Sequence, residues 1–101
     1  MSSRLKLSEQ LRSILGSSNV YFQPPETIKI NYPAIIYSRD KMRTIYADNN
    51  PYRIKKAYTL TVIDKDPDSE IPDKIAQLPM CYFNKHFTAN NLNHDVFTIY
   101  F

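Results

Sequence analysis

Three groups of residues have types and spacings that could do chemistry. Asp64, Asp66 and Asp68 alternate along the chain, the pattern by which an EF-hand loop turns successive carboxylates onto calcium. With Asp64 at the first position of such a loop, Ser69 stands where the sharp turn needs glycine and Ile75 where a bidentate glutamate is needed, with Pro67 stiffening the middle. The segment therefore reads as a solvated acidic loop whose charges favour the start of a following helix.

Cys81, His86 and His94 form the second group, a thiol with two candidate bases or part of a metal site. Cys81 lies in an apolar, strand-like stretch, where a free cysteine behaves as a small hydrophobe. In an unbulged strand its odd separation from His86 puts the two on opposite faces. Two histidines without a third ligand at a fitting spacing make no recognisable transition-metal site. The reading is of a protein that is not an enzyme, with no catalytic, cofactor-binding or metal-ligating residue assigned. The third group is the basic segment of residues 39–56, where Tyr46, Tyr52 and Tyr58 are interleaved with Arg and Lys, a mixture used to bind single-stranded nucleic acid. Several of these tyrosines fall on the apolar face of a strand, so a solvated hairpin or a protein contact is preferred and a small nucleic-acid-binding module is the alternative.

The chain that must position these groups has 101 residues, 43% of them hydrophobic, enough for one small core and hence one domain, residues 1–101. Its single glycine excludes phosphate-cradling loops, which need several glycines for close backbone approach. One cysteine makes neither an intrachain disulfide nor a cysteine-based zinc site. The first ten residues carry no continuous apolar run, and residues 34–37 are far short of a membrane span. A soluble, unprocessed protein of a reducing cytoplasm, without membrane contact, is expected. The net charge of +3 conceals a segregation. Residues 39–56 hold Arg39, Lys41, Arg43, Arg53, Lys55 and Lys56 against Asp40 and Asp48, a net +4. Residues 64–73 hold Asp64, Asp66, Asp68, Glu70 and Asp73 against Lys65, a net −4.

Leu7, Leu11, Ile14 and Leu15 make the stripe of an amphipathic helix over residues 4–15, with Gly16 placed to end it. Residues 20–22 read as a brief strand stopped by Pro24 and Pro25. From Ile28 the alternation of Ile28, Ile30 and Tyr32 suggests a strand interrupted by Pro33, resuming over residues 34–37 as an edge or bulge. Polar residues 38–43 read as a hairpin tip, 44–47 as its second arm and 48–51 as a further turn. The strongest strand is 52–64, with Ile54, Tyr58, Leu60 and Val62 on one face and Arg53, Lys55, Thr59 and Thr61 on the other. Ser69 or Asp68 can cap a short helix over 71–78, closed by Pro79. Residues 80–87 are the fourth β element, 88–95 an Asn-rich turn, and 96–101 a last strand. The order α-β-β-β-α-β-β predicts an α+β fold, an antiparallel sheet of about four to five strands with both helices packed on one face.

The last strand has Phe97, Ile99 and Phe101 on one side and Val96, Thr98 and Tyr100 on the other, whereas one helix layer covers only one face of a sheet. The second face then calls for a partner. A basic arm and an acidic loop can meet head to tail between copies, and such contacts generate rings when they close.

Residues 52–79, containing YTLTVIDKDPDSEIPDKIAQLP, followed by CYFNKHFTANNLNHDVFTIYF to residue 101, resemble the tail-terminator (tail-completion) proteins of the head-to-tail joining modules of long-tailed bacteriophages. The resemblance rests on element order and on the texture of the C-terminal half. It implies a homo-oligomeric ring, with six subunits expected, that caps the head-proximal end of the tail tube, ends its polymerisation and joins it to the head connector (stopper) protein. Its location would be the tail-neck junction of the virion, after assembly in the bacterial host cytoplasm, with genomic DNA passing through the lumen without specific binding. Another neck, connector or minor tail component is the nearest alternative. The family has no catalytic residues to carry over and no cofactor. The expected contact residues are Arg39, Lys41, Arg43, Arg53, Lys55, Asp64, Asp66, Asp68, Tyr100 and Phe101.

Overall fold

The computed structural model describes residues 3–47 and 50–101, with residues 3, 41–47 and 50–55 described as backbone only. Helix α1 spans Ser3–Leu15. Its stripe works as the spacing predicts: Leu7 and Leu11 are fully buried, with Ile14 and Leu15 packed beside the core. Gly16 ends it at φ +79°, donating its N–H to the Arg12 carbonyl at 2.8 Å, a conformation that costs a side chain strain.

Strand β1 is Val20–Phe22 and β2 is Ala34–Ala47. They pair in parallel, Val20 with Ile35 and Phe22 with Tyr37. Parallel neighbours require the chain to travel back to its starting end, and residues 23–33 make that journey. This overturns the strand expected from Ile28: the alternating residues belong to the connection, where the Ile28 N–H turns back to the Pro25 carbonyl and Ile28 and Tyr32 are exposed.

Strand β3 spans Asn50–Asp64 and pairs antiparallel with β2 along almost its whole length. The hairpin tip expected at residues 38–43 is absent. β2 continues through that segment, accommodating Asp40 as a register shift between Arg39 and Lys41. Of the turn expected at 48–51, residues 48 and 49 lie outside the described residues, while Asn50 and Pro51 belong to β3. β1 reaches no further along β2 than Tyr37, and the next neighbour of β3 begins at Ala57. Residues 40–47 and 50–56 therefore leave the sheet as a two-stranded ribbon, and the molecule measures 50 × 24 × 23 Å.

Helix α2, Ile71–Ala76, is shorter than expected. Gln77 and Leu78 donate to the Lys74 and Ile75 carbonyls, three residues back, the tightened last turn common at helix ends. Glu70, rather than Ser69 or Asp68, is the N-cap residue, but the Ser69 hydroxyl still accepts the Ile71 N–H at 3.3 Å. Strands β4, Cys81–Ala89, and β5, Leu92–Tyr100, form the closing hairpin. Its turn is only Asn90 and Asn91, both at positive φ (53° and 62°), as a two-residue type I′ turn requires and asparagine tolerates. The broad turn expected over 88–95 is corrected accordingly.

The fold is α+β with the element order read from the sequence. The five strands lie in the order β1-β2-β3-β5-β4, antiparallel except for β1 beside β2, so the sheet is mixed. Leu7 and Leu11 of α1 and Ile75 of α2 cluster with Tyr37, Leu60, Val62, Phe97 and Ile99 on one sheet face. Beneath α1 the Ser8 and Tyr37 hydroxyls share a hydrogen bond, and no buried side-chain polar atom among the described residues lacks a partner. Alternation turns Thr59, Thr61, Thr98 and Tyr100 to the opposite face, where they are half-buried.

Candidate functional site

The oppositely charged segments sit at the two ends of one strand. β3 starts in the ribbon, where Lys55 is the register partner of Arg43, Arg53 that of Ile45 and Ala57 that of Lys41, and it ends at Asp64, the first residue of the acidic loop. From Arg53 to Asp64 the strand runs on the order of 36 Å. Tyr100 and Phe101 lie at the ribbon's root, where the Phe101 N–H donates to the Lys56 carbonyl at 3.0 Å. Arg39 is exposed just beyond the end of β1. The expected contact residues thus divide into two groups: the basic ones with Tyr100 and Phe101 at one end, and Asp64, Asp66 and Asp68 at the other.

The acidic loop is held by its own carboxylates. Asp64 Oδ1 accepts the Asp66 N–H at 3.1 Å, and Asp66 Oδ1 accepts the Asp68 N–H at 2.9 Å, two successive Asx turns. The Asn93 amide donates to the Asp64 and Lys65 carbonyls, both at 3.4 Å, tying the loop to the start of β5.

Beside the loop, a shallow pocket of about 350 Å³ brings Asp68 and Asp73 to His86 and Asp95, with Pro67 and Pro72 in its wall. His86 and Asp95 are cross-strand partners, Nδ1 to Oδ1 2.9 Å apart. Among the described residues, no group of three His, Cys, Asp or Glu side chains is arranged to hold a metal.

Cys81 and His86 do not form a dyad, though not for the reason given by alternation. A bulge between Phe83 and Lys85 sets Cys81 opposite Ile99 and His86 opposite Asp95, which returns both to one face. They stay apart because they are four partner positions distant, roughly 13 Å along β5. Burial also pushes the Cys81 thiol up to about 11, away from thiolate chemistry.

The sequence left one feature unremarked. β4 is an edge strand, paired among the described residues on one side only, and all but its two end residues are exposed. It displays Tyr82, Phe83 and Phe87, which are 52%, 56% and 40% exposed. Tyr82 stands edge-on to Tyr100 at 6.2 Å, Phe83 edge-on to Phe97 at 5.4 Å, and Phe87 is stacked on His94 at 4.6 Å. The aromatics at 82, 83 and 87 were visible in the sequence. That their strand is outermost among the described residues was not, since strand order is set by the whole fold. At the other end of β4 a groove of about 400 Å³ runs between Lys6 and Gln10 of α1 and Leu78, Met80, Tyr100 and Phe101.

No protein-family model matches the chain and no curated protein matches it either, so the likeness to tail terminators stands on element order and residue texture. No helix among the described residues is long and apolar enough to cross a membrane.

Proposed function

We propose that the chain is a structural subunit that joins copies of itself head to tail into a ring, and that it serves as a tail terminator of a long-tailed phage or prophage. The observation that carries this reading is the placement of a net +4 ribbon and a net −4 loop at opposite ends of β3. Such an arrangement lets the basic end of one copy meet the acidic end of the next, and a heterologous contact of that kind generates a ring when it closes. In the resemblance such a ring, of six subunits, caps the tail tube, halts its growth and offers a surface to the connector, while the genome passes through the lumen. The half-buried Cys81 thiol, whose proton is held by burial, and the self-bonded aspartates support a structural role.

Negative-stain imaging of the purified protein, alone and with tail-tube protein, tests the proposal. Rings, and tubes capped at uniform length, are expected; dispersed monomers with tubes of uncontrolled length would contradict it. A second reading has one observation behind it, since a projecting basic two-stranded ribbon can enter a nucleic-acid groove. That reading requires measurable DNA or RNA affinity at low salt, falling steeply as salt rises. No affinity at low salt removes it.

A further inference from the structure

The sheet face turned away from the helices has a pattern of its own. Thr98, Val96 and His94 of β5 belong to it, and their partners on β4 are Tyr82, Lys85 and Phe87. Residues 82 and 85 are an odd number apart and in an unbulged strand would take opposite faces. The bulge between Phe83 and Lys85 takes up Asn84, whose amide donates to Thr98 Oγ1 at 2.8 Å, and brings all three residues into line. Bulges re-aim side chains in this way. Successive rows on one face lie roughly 7 Å apart, so β4 presents an aromatic, a cation and an aromatic at even steps. Tyr82 and Phe87 are 52% and 40% exposed. Phe87 is backed by the His94 ring, and Lys85 Nζ lies 5.6 Å from its centre, on a flexible stem that can swing aside.

The same set of alternate residues runs on into the ribbon. Lys41 is the partner of Ala57, which is the partner of Tyr100, and one row further Arg43 is the partner of Lys55. Among the described residues no acidic one holds a register position in this set. Asp95 pairs with Val62 and His86 in the opposite set, Asp64 pairs with Asn93 there as well, and Asp40 falls in the register shift of β2. Charge thus segregates between the faces as well as between the ends of β3. We infer that the helix-free face binds single-stranded nucleic acid, with bases stacking on Tyr82 and Phe87 and phosphates meeting Lys85 and the basic rows of the ribbon. A single strand supplies unstacked bases together with a line of negative charge. An acidic peptide would use the cations and leave the rings idle, and a duplex keeps its bases inside. The inference goes beyond the proposed ring and does not depend on it, because Tyr82, Lys85 and Phe87 lie outside both ends of β3. It also differs from groove entry, which would engage the ribbon alone.

Fluorescence anisotropy with the full-length protein and a labelled oligothymidylate of about 12 nucleotides tests it, against a duplex of the same length. The single strand is expected to bind at least about tenfold more tightly than the duplex. Tyr82→Ala with Phe87→Ala is expected to weaken it at least about tenfold. Lys85→Gln is expected to reduce the slope of log affinity against log salt by about 0.7, the share of one phosphate contact on a single strand. Phe83→Ala is the control: this ring is also exposed but stands against Phe97 on the helix side, and its loss is expected to leave affinity unchanged. Each variant is first checked for native circular dichroism. No affinity at low salt would overturn the inference, as would a loss at Phe83 equal to that of the double variant. Duplex binding as tight as the single strand and untouched by the double variant would overturn it in favour of groove entry by the ribbon. Ring formation is scored separately by native mass spectrometry, so failure of the ring and failure of this site are told apart.

Discussion

The sheet has two edges, and the chain finishes them in opposite ways. At one, β1 is three residues long and lies close under α1. Phe22 packs 4.9 Å from Tyr37 and 6.5 Å from Tyr58, and the Arg4 guanidinium sits 4.6 Å above its ring. Gln23 then closes the ladder, donating its N–H to the Tyr37 carbonyl at 2.9 Å while its side-chain oxygen accepts the Arg39 N–H at 3.2 Å. Pro24 and Pro25 follow, without N–H groups to offer. At the other edge, β4 is nine residues long, carries three exposed aromatics and is the outermost strand among the described residues. The first edge is built to end the sheet and the second is left open. Aromatic residues at β1 therefore pack within the fold, whereas those at β4 remain largely open to solvent.

Substitutions should separate these two roles. Phe22→Ala is expected to have the largest effect, about 2–3 kcal/mol less stability by urea unfolding, since a largely enclosed ring is lost with a cavity left behind. Next comes Tyr37→Phe, expected to cost about 1–2 kcal/mol because the buried Ser8 hydroxyl loses its partner. Phe83→Ala at the open edge is expected to cost less than about 1 kcal/mol in stability, its ring being mostly in water already. Its association constant, by sedimentation, should nevertheless fall clearly. Equal losses of stability at Phe22 and Phe83 would erase the contrast between the edges.

The smallest effect concerns Cys81, where β4 begins. Its thiol, held up to about 11 by burial, should be alkylated at pH 8 on the order of tenfold or more slowly in the native than in the unfolded protein. The sign for stability follows from linkage. The folded state holds the thiol proton more tightly than the unfolded chain does, so this contribution is complete below the unfolded value near 9 and is lost as pH rises through about 11. A thiol that reacts equally fast in both states would contradict the half-buried placement.

The elements legible in the sequence were those whose pattern is enforced by a core. The α1 stripe, β1 and the body of β3 each bury an apolar face, and their periodicity reads directly. Elements released from the core were misread. Among the described residues, 42–47 pair with β3 alone and run past the ends of β1 and β5, and their polar sequence resembles a turn. Residues 92–95 were assigned to a turn because they are polar, but they are strand residues with side-chain partners: Asn93 holds the acidic loop, His94 stacks on Phe87, and Asp95 meets His86. The bulge in β4 moved His86 to the face of Cys81, something a strict two-residue period cannot anticipate. For the candidate site, the charge segregation was plain in the sequence. The open edge was not, because no local signal reveals which strand a fold leaves outermost.

Native mass spectrometry of the purified wild-type protein across a concentration series tests head-to-tail assembly most directly. The account predicts one closed oligomer of defined subunit number that replaces the monomer as concentration rises and recedes as salt screens the opposite charges. A monomer that persists at every concentration and at low salt would contradict it.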